Sequence, residues 1–146
     1  MARCMLVAPD LTATEVDLDL ENNVEEAATL LEGTPDDRLH VAFAENDSTI
    51  TAVYCSAATR SEVLEPNALA SMGRQESDTG DSRFISDPTR AILGPVIFVG
   101  EEGEDLTDEE IESIHSGIRA VENYKQDNPE EYQLWHGAVV NLTRGV

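Results

Sequence analysis

The stretch Ile92-Leu93-Gly94-Pro95-Val96-Ile97-Phe98-Val99-Gly100 is the longest apolar run of the chain and predicts a strand buried on both faces. Its Gly94-Pro95 step implies a kink or an edge position at the beginning of that strand. A short acidic loop follows, and Thr107-Asp108-Glu109-Glu110 then has the pattern of a capping box. The apolar residues after the box recur at helical spacing: Ile111, Ile114, Ile118 and Val121. A buried strand and a capped amphipathic helix therefore lie at the centre of the predicted fold.

Four more segments have the pattern of strands and predict two hairpins. Cys4–Ala8 is a short apolar run, and Glu15–Leu20 alternates between acidic residues and Val16, Leu18 and Leu20. Leu39–Ala44 and Thr49–Cys55 also alternate, on either side of a polar turn at Asn46-Asp47. Together with residues 92–100, these segments predict a mostly antiparallel sheet of about five strands.

Two further segments have the pattern of helices. Asn22 or Asn23 caps the first, which ends at Gly33 and carries Val24, Ala27, Ala28 and Leu31 on one face. Asn128-Pro129 begins a final short helix with Tyr132, Leu134 and Trp135. Ala138–Leu142 is either a last strand or a continuation of that helix.

Residues 56–90 lack clear periodicity, and their polar stretch from Gly73 to Ser82 predicts a long loop. We find no internal repeat and no linker between two domains. The expected fold is a single α+β domain over residues 1–146, in which two to three helices pack on the mostly antiparallel sheet.

The composition excludes several classes of function. The 146 residues include 30 acidic and 9 basic ones, for a formal net charge of −21, and 40% are hydrophobic. A surface with this much negative charge repels phosphate backbones and anionic lipids. We therefore expect neither direct nucleic-acid binding nor a membrane partner. The N-terminal residues lack a signal-peptide pattern, which favours the cytoplasm.

No catalytic or metal-binding pattern is present in the sequence. His40, His115 and His136 are isolated, so there is no zinc signature, and we expect each to have a structural role. In a cytoplasmic chain, Cys4 and Cys55 are better interpreted as two buried thiols than as a disulfide. We therefore expect a protein that is not an enzyme and that needs no cofactor or metal.

The charge is unevenly distributed. Residues 1–59 carry a net charge of −10 and residues 91–146 carry −9, whereas residues 60–90 carry only −2. A small anionic ligand could bind in this middle segment, through Arg60, Arg74, Arg83, Arg90 and Asn67. The alternative is that these arginines pair with the chain's own acids. Lys125 is the one lysine beside eight arginines, a composition typical of salt-adapted proteins and also of GC-rich genomes.

The segment from Ile92 to Gly100, followed by Leu106-Thr107-Asp108-Glu109-Glu110, resembles the closing signature of the family filed as domain of unknown function three-eight-four-six. The order of the earlier strands and the Pro66-Asn67 pair are similar as well. The resemblance covers about residues 5–116 and leaves 117–146 as a C-terminal extension. It departs from the family at Ala68, where an arginine is common, and in a longer segment between Asn67 and Gly94.

The resemblance implies an α+β fold and a mobile-element origin, such as a phage or plasmid, but no activity and no catalytic residue. Three hypotheses for the function follow. In the first, the chain binds a basic protein surface, as a DNA mimic or anti-defence protein would. Its interaction residues would be Glu15, Asp17, Asp19, Glu101, Glu102, Glu104, Asp105, Asp108, Glu109 and Glu112. In the second, residues 60–90 bind a small anionic ligand or a nucleotide signal. In the third, the acidic surface is an adaptation to salt, on a domain of unknown role. A homo-oligomer is compatible with all three.

Overall fold

The computed structural model describes residues 2–19, 22, 24–31, 37–41, 43, 50–54, 65–79, 88–100 and 103–143. These residues form five strands, β1 (Ala2–Val7), β2 (Ala13–Leu18), β3 (Asp37–Val41), β4 (Ile50–Tyr54) and β5 (Val96–Val99). They also form four helices, α1 (Val24–Leu31), α2 (Ala68–Thr79), α3 (Asp108–Asp127) and α4 (Pro129–Thr143), and a short 3-10 turn at Pro88–Arg90. The predicted α+β fold is confirmed, with one helix more than expected among the described residues.

Strand β5 lies in the middle of one antiparallel sheet, whose strand order is β2-β1-β5-β4-β3. Its residues are buried on both faces, which explains the uninterrupted apolar run. Because β5 has a neighbour on each side, the edge position considered for this strand is wrong. The kink is present, since Gly94 just before the strand has a φ of +75°, a conformation that favours glycine.

The two predicted hairpins are confirmed. Strands β1 and β2 pair antiparallel with Arg3 opposite Asp17, and β3 and β4 pair with His40 opposite Thr51. Alternation in β2 places Leu18 in the interior and leaves Glu15 and Asp17 exposed. The strand begins two residues earlier than predicted, at Ala13.

Helices cover both faces of the sheet. On one face, a large apolar cluster joins Phe43 and Phe98, which meet edge to face at 5.4 Å, with buried residues of α2, α3 and α4. On the other face, Ala27 and Leu31 of α1 pack in a smaller cluster with residues of β1, β2, β4 and β5. Ala27 and Leu31 of the apolar face predicted for this first helix are buried, and Ala28 is half-buried.

Helix α2 corrects the prediction of a loop across residues 56–90. Asn67 caps the helix, because its side-chain oxygen accepts a hydrogen bond from the Ala70 amide at 3.2 Å. Gly73 lies against Phe43, and a Cβ at this position would come within 2.6 Å of Phe43 Cε1. The glycine is therefore required for close packing and does not break the helix. Residues 56–64 and 80–87 of the predicted loop lie outside the described residues.

Helix α3 begins at the predicted capping box. The Glu110 amide donates to Thr107 Oγ1 at 3.1 Å, and the Thr107 amide donates to Glu110 Oε1 at 2.9 Å. Helix α4 runs for 15 residues, so Ala138–Leu142 continues the helix and the alternative of a last strand is wrong. Tyr132 and Trp135 are buried on α4, whereas Leu134 is 75% exposed. Among the described helices, none is long and apolar enough to span a membrane.

Candidate functional site

The two acidic segments of the sequence meet at one place, around Arg3 at the start of β1. The guanidinium of Arg3 forms an ion pair with Glu15 of β2, and its Nη1 atom lies 2.9 Å from Asp108 Oδ1 of α3. The Arg3 amide donates to Asp105 Oδ1 at 2.8 Å. The hydrogen bonds to Glu15 and then to Asp108 raise the pKa of Arg3 above its usual value. One arginine therefore links residues that are distant in the sequence.

Three carboxylates that contact Arg3 form, together with two neighbouring ones, a surface that we call the acidic edge. The contacting residues are Glu15, Asp105 and Asp108, and the neighbours are Asp17 of β2 and Glu109, which follows Asp108 in α3. Asp17 belongs to it because it is the cross-strand partner of Arg3, and opposite residues of an antiparallel pair share a face. All five side chains are exposed. Together, these five carboxylates and the guanidinium of Arg3 carry a net charge of −4.

A tight loop before α3 positions the acidic edge. The Gly100 amide donates to the Glu104 carbonyl at 2.9 Å, and a Cβ at Gly100 would lie 2.7 Å from the Asp105 carbonyl oxygen. Gly103 has a φ of +81°. The Leu106 amide then donates to the Arg3 carbonyl at 2.9 Å, and the Leu106 side chain is buried. These glycines allow the chain to turn and attach to β1.

The other predicted interaction residues do not all join this surface. Asp19 accepts hydrogen bonds from the main-chain and side-chain nitrogens of Asn22 at 3.1 Å, which closes a turn. Glu112 is exposed but forms an ion pair with Arg119 at 2.8 Å. Glu104 is exposed, and Glu101 and Glu102 lie outside the described residues.

Of the four arginines predicted to bind an anion, the structure describes the side chain of Arg74, so their grouping stays a prediction. Arg74 lies on α2, whereas Arg60 and Arg83 lie outside the described residues, as does the side chain of Arg90. Asn67 is fully buried, and its amide nitrogen donates to the carbonyls of Val7 at 3.0 Å and Gly94 at 2.9 Å. With its oxygen capping α2, Asn67 has a structural role.

His136 and Cys4 have the contacts of structural groups. His136 Nε2 lies 2.6 Å from Glu65 Oε2, which ties α4 to the segment before α2. Cys4 is a free, buried thiol, and burial raises its pKa to about 11, so it is a poor nucleophile at neutral pH. Cys55 lies outside the described residues. Within the described part of the chain, no three His, Cys, Asp or Glu side chains are grouped to hold a metal ion.

The sheet face also carries a cleft that was not predicted from the sequence. It is lined by Arg38, Leu39, His40, Thr51, Val99 and Gly103. A signal for it exists in the sequence, since Arg38 and His40 alternate with Leu39 and Val41 and must lie on one face of the strand. The apolar residues of this strand predict the hairpin, and its polar residues line the cleft.

Comparison of the chain with protein-family models, curated proteins and solved structures finds no significant match. The resemblance to the family of unknown function therefore stays a prediction, and no residue role is transferred from a relative.

Proposed function

We propose that the protein is a non-enzymatic interaction protein of the cytoplasm that binds a basic protein surface through its acidic edge. The observation that carries this proposal is the convergence of Glu15, Asp105 and Asp108 on Arg3. Two acidic segments that are remote in the sequence thereby contribute to one surface. A concentrated charge of one sign is the feature that a basic partner recognises.

The rigidity of the acidic edge supports this function. Glu15 and Asp17 are held by the pairing of β2 with β1, and Asp108 and Glu109 lie in the first turn of a helix with a capping box. Side chains on ordered elements lose less conformational freedom on binding than side chains on mobile loops. A partner would therefore meet carboxylates whose main-chain positions are already set.

The partner class that best fits this surface is a protein that normally binds nucleic acid. Such proteins have clustered Lys and Arg side chains that neutralise phosphates, and exposed rows of carboxylates can use the same electrostatics. A DNA mimic or anti-defence protein of a mobile element would act in this way. Its complexes would weaken steeply with added salt, since exposed charges are screened over about 8 Å at physiological ionic strength.

The test is capture of partners on the immobilised protein from a plausible host, at low and high salt, with duplex DNA as a competitor. The test variant is Asp17→Asn with Glu109→Gln, and the matched control is Glu122→Gln with Glu130→Gln, which are exposed residues of α3 and α4. Both double variants raise the net charge by two. In α3, Glu109 and Glu122 are about 20 Å apart along the helix axis.

We expect the acidic-edge variant to lose the partner at a lower salt concentration than the control, and DNA to displace the partner from the wild type. Equal loss in both variants would mean that total charge and not the acidic edge governs binding. If no DNA-binding protein is retained and the chain unfolds at low salt, the charge is instead a salt adaptation.

A further inference from the structure

We propose that the outer side of β2 binds an extended basic segment of the partner, which adds to the sheet as a sixth strand. The segment runs antiparallel to β2 and carries Lys or Arg at alternate positions, opposite Glu15 and Asp17. This inference rests on the proposed function, since both carboxylates belong to the acidic edge. It adds the conformation in which the partner binds.

Strand β2 lies at one edge of the sheet. The strand order is β2-β1-β5-β4-β3, so within the described part of the chain β2 pairs with β1 alone. An edge strand has main-chain donors and acceptors on its outer side, and these can pair with an added strand. The side chains of Thr14, Glu15 and Asp17 are exposed, which leaves this strand accessible to a partner.

The hydrogen bonds of the hairpin identify the residues of β2 whose main chain faces outwards. In an antiparallel pair, opposite residues that exchange hydrogen bonds alternate with opposite residues that do not. The Ala8 amide donates to the Thr12 carbonyl at 3.0 Å, next to the Val7–Ala13 pair of the register. Steps of two from Thr12 reach the residues whose main chains bond to β1, namely Thr14, Val16 and Leu18. The residues between them direct their main-chain groups away from β1, namely Ala13, Glu15 and Asp17.

The contacts of Arg3 support this assignment independently. Its amide donates to Asp105 Oδ1 at 2.8 Å, and its carbonyl accepts from the Leu106 amide at 2.9 Å. The main-chain groups of Arg3 are therefore bonded to the loop that follows β5 and not to Asp17, the residue opposite Arg3 on β2. The amide and carbonyl of Asp17 then lie on the outer side of the sheet.

The charge of β2 decides which strand can be added. Residues directly opposite each other in a hydrogen-bonded antiparallel pair have Cα atoms about 5.5 Å apart. Opposite charges at such positions stabilise the pair, and like charges destabilise it. A second copy paired about Glu15 would place two Glu15 carboxylates against each other, so the edge favours a basic segment over self-association. The Glu15 side chain is 50% exposed beside Arg3, so a lysine or arginine can reach it.

The test is an NMR titration of the whole chain with the acetylated and amidated peptide Thr-Lys-Thr-Lys-Thr-Val-Thr. Its two lysines match Asp17 and Glu15, and its valine matches Ala13. Two analogues carry equal numbers of N-methyl groups, one on the lysines and the valine, whose main chain faces β2, and the other on the threonines that follow them. We expect saturating amide shifts centred on residues 13–17. The first analogue should bind about tenfold or more weakly than the second, because it lacks the donors to β2.

Two variants of Glu15 repeat the test from the side of the protein. Glu15→Pro and Glu15→Gln both remove one negative charge and the ion pair with Arg3, but only proline also removes the outward N–H. Edge strands tolerate proline where the N–H faces solvent. We expect Glu15→Pro to bind the peptide about three- to tenfold more weakly than Glu15→Gln. If Glu15→Pro does not fold, as judged by circular dichroism, the two analogues decide.

Equal affinity of the two analogues, or of the two folded variants, would overturn the added strand. If that equal binding is centred on the acidic edge, the proposed function stands, because the carboxylates then bind basic groups without main-chain pairing. Saturation by none of the peptides, or shifts centred elsewhere, would also overturn the added strand. The proposed function is decided separately, by the capture of partners with the double variant of Asp17 and Glu109.

Discussion

Strand β1 is tied at both ends to segments far away in the sequence, and the two ends use different chemistry. At its start, Arg3 forms exposed ion pairs with Glu15 and Asp108. At its other end, the Val7 carbonyl accepts a hydrogen bond from the side-chain amide nitrogen of Asn67, which is fully buried. Exposed ion pairs contribute little to stability, whereas buried polar groups are costly to leave without partners. The second end is therefore expected to contribute more to the stability of the fold than the first.

The largest expected effect is that of Asn67→Ala. The substitution removes the donors to the Val7 and Gly94 carbonyls and the cap of α2, and we expect a loss of about 3 to 5 kcal/mol in the free energy of unfolding. Chemical denaturation measures it. Asn141→Ala, at an exposed position of α4, is the control and should change stability little. A loss below about 1 kcal/mol at Asn67 would contradict its structural role.

Cys4 follows Arg3 in β1 but lies on the opposite face of the strand, where it is buried. The titration of its thiol therefore tests whether the protein interior begins one residue after the exposed Arg3. Burial raises the pKa of its thiol from 9.0 to about 11, so the folded state keeps a proton that the unfolded state releases. Stability contributed by the protonated thiol is present below about pH 9 and is lost as the pH rises towards 11. The full loss is about 2 to 3 kcal/mol.

The measurement for Cys4 is urea denaturation of the wild type and of Cys4→Ala between pH 8 and pH 11. Tyr124 also contributes to the pH dependence, because burial, followed by the hydrogen bond to Glu131, raises the pKa of its hydroxyl from 10.0 to about 12. The difference between the two stability curves isolates the thiol. A difference that stays constant with pH would show that Cys4 is accessible to solvent.

A smaller effect is expected for Gly73→Ala, which tests the packing beside the Asn67 end. The added Cβ would lie 2.6 Å from Phe43 Cε1 and 3.1 Å from Val41 Cβ, so we expect a loss of about 1 to 2 kcal/mol. Gly137→Ala on α4 is the matched control, because its Cβ would meet no atom within 4 Å. It should stabilise the protein by about 0.5 to 1 kcal/mol through helix propensity. Stabilisation by both substitutions, read from denaturation midpoints, would contradict the close packing of α2.

The contrast between the two ends of β1 also explains which elements of the fold could be predicted from the sequence. The strands and the start of α3 follow from local patterns, namely the alternation at Glu15–Leu20 and the capping box at Thr107–Glu110. Helix α2 escaped prediction because Asn67, Ser71 and Gly73 are not apolar, although all three are buried. Their burial depends on Phe43 and on backbone groups of β1 and the segment before β5, which are distant in the sequence.

The candidate sites were partly predictable for a related reason. The exposure of the acidic residues follows from composition, but their convergence depends on Arg3 lying opposite Asp17 and beside Asp108. The placement of Arg38 and His40 on one face of β3 follows from strand alternation, whereas the cleft that they line also depends on Val99 and Gly103. Long-range register, which no short sequence pattern encodes, decides both sites.

The smallest expected effect is that of Arg3→Gln, which removes the guanidinium that contacts Glu15 and Asp108 of the acidic edge. We expect a lower denaturation midpoint at low salt, since the carboxylates then repel one another without compensation, and a midpoint close to that of the wild type in molar salt. The loss should be smaller than that of Asn67→Ala, because the ion pairs of Arg3 are exposed. The matched control is Arg119→Gln, which gives the same net charge but breaks a pair with Glu112 alone. An equal salt dependence of the two variants would show that Arg3 is not the link between the acidic segments. If Arg3→Gln folds in molar salt and loses stability selectively at low salt, the acidic edge is held together by electrostatics that a basic partner could replace.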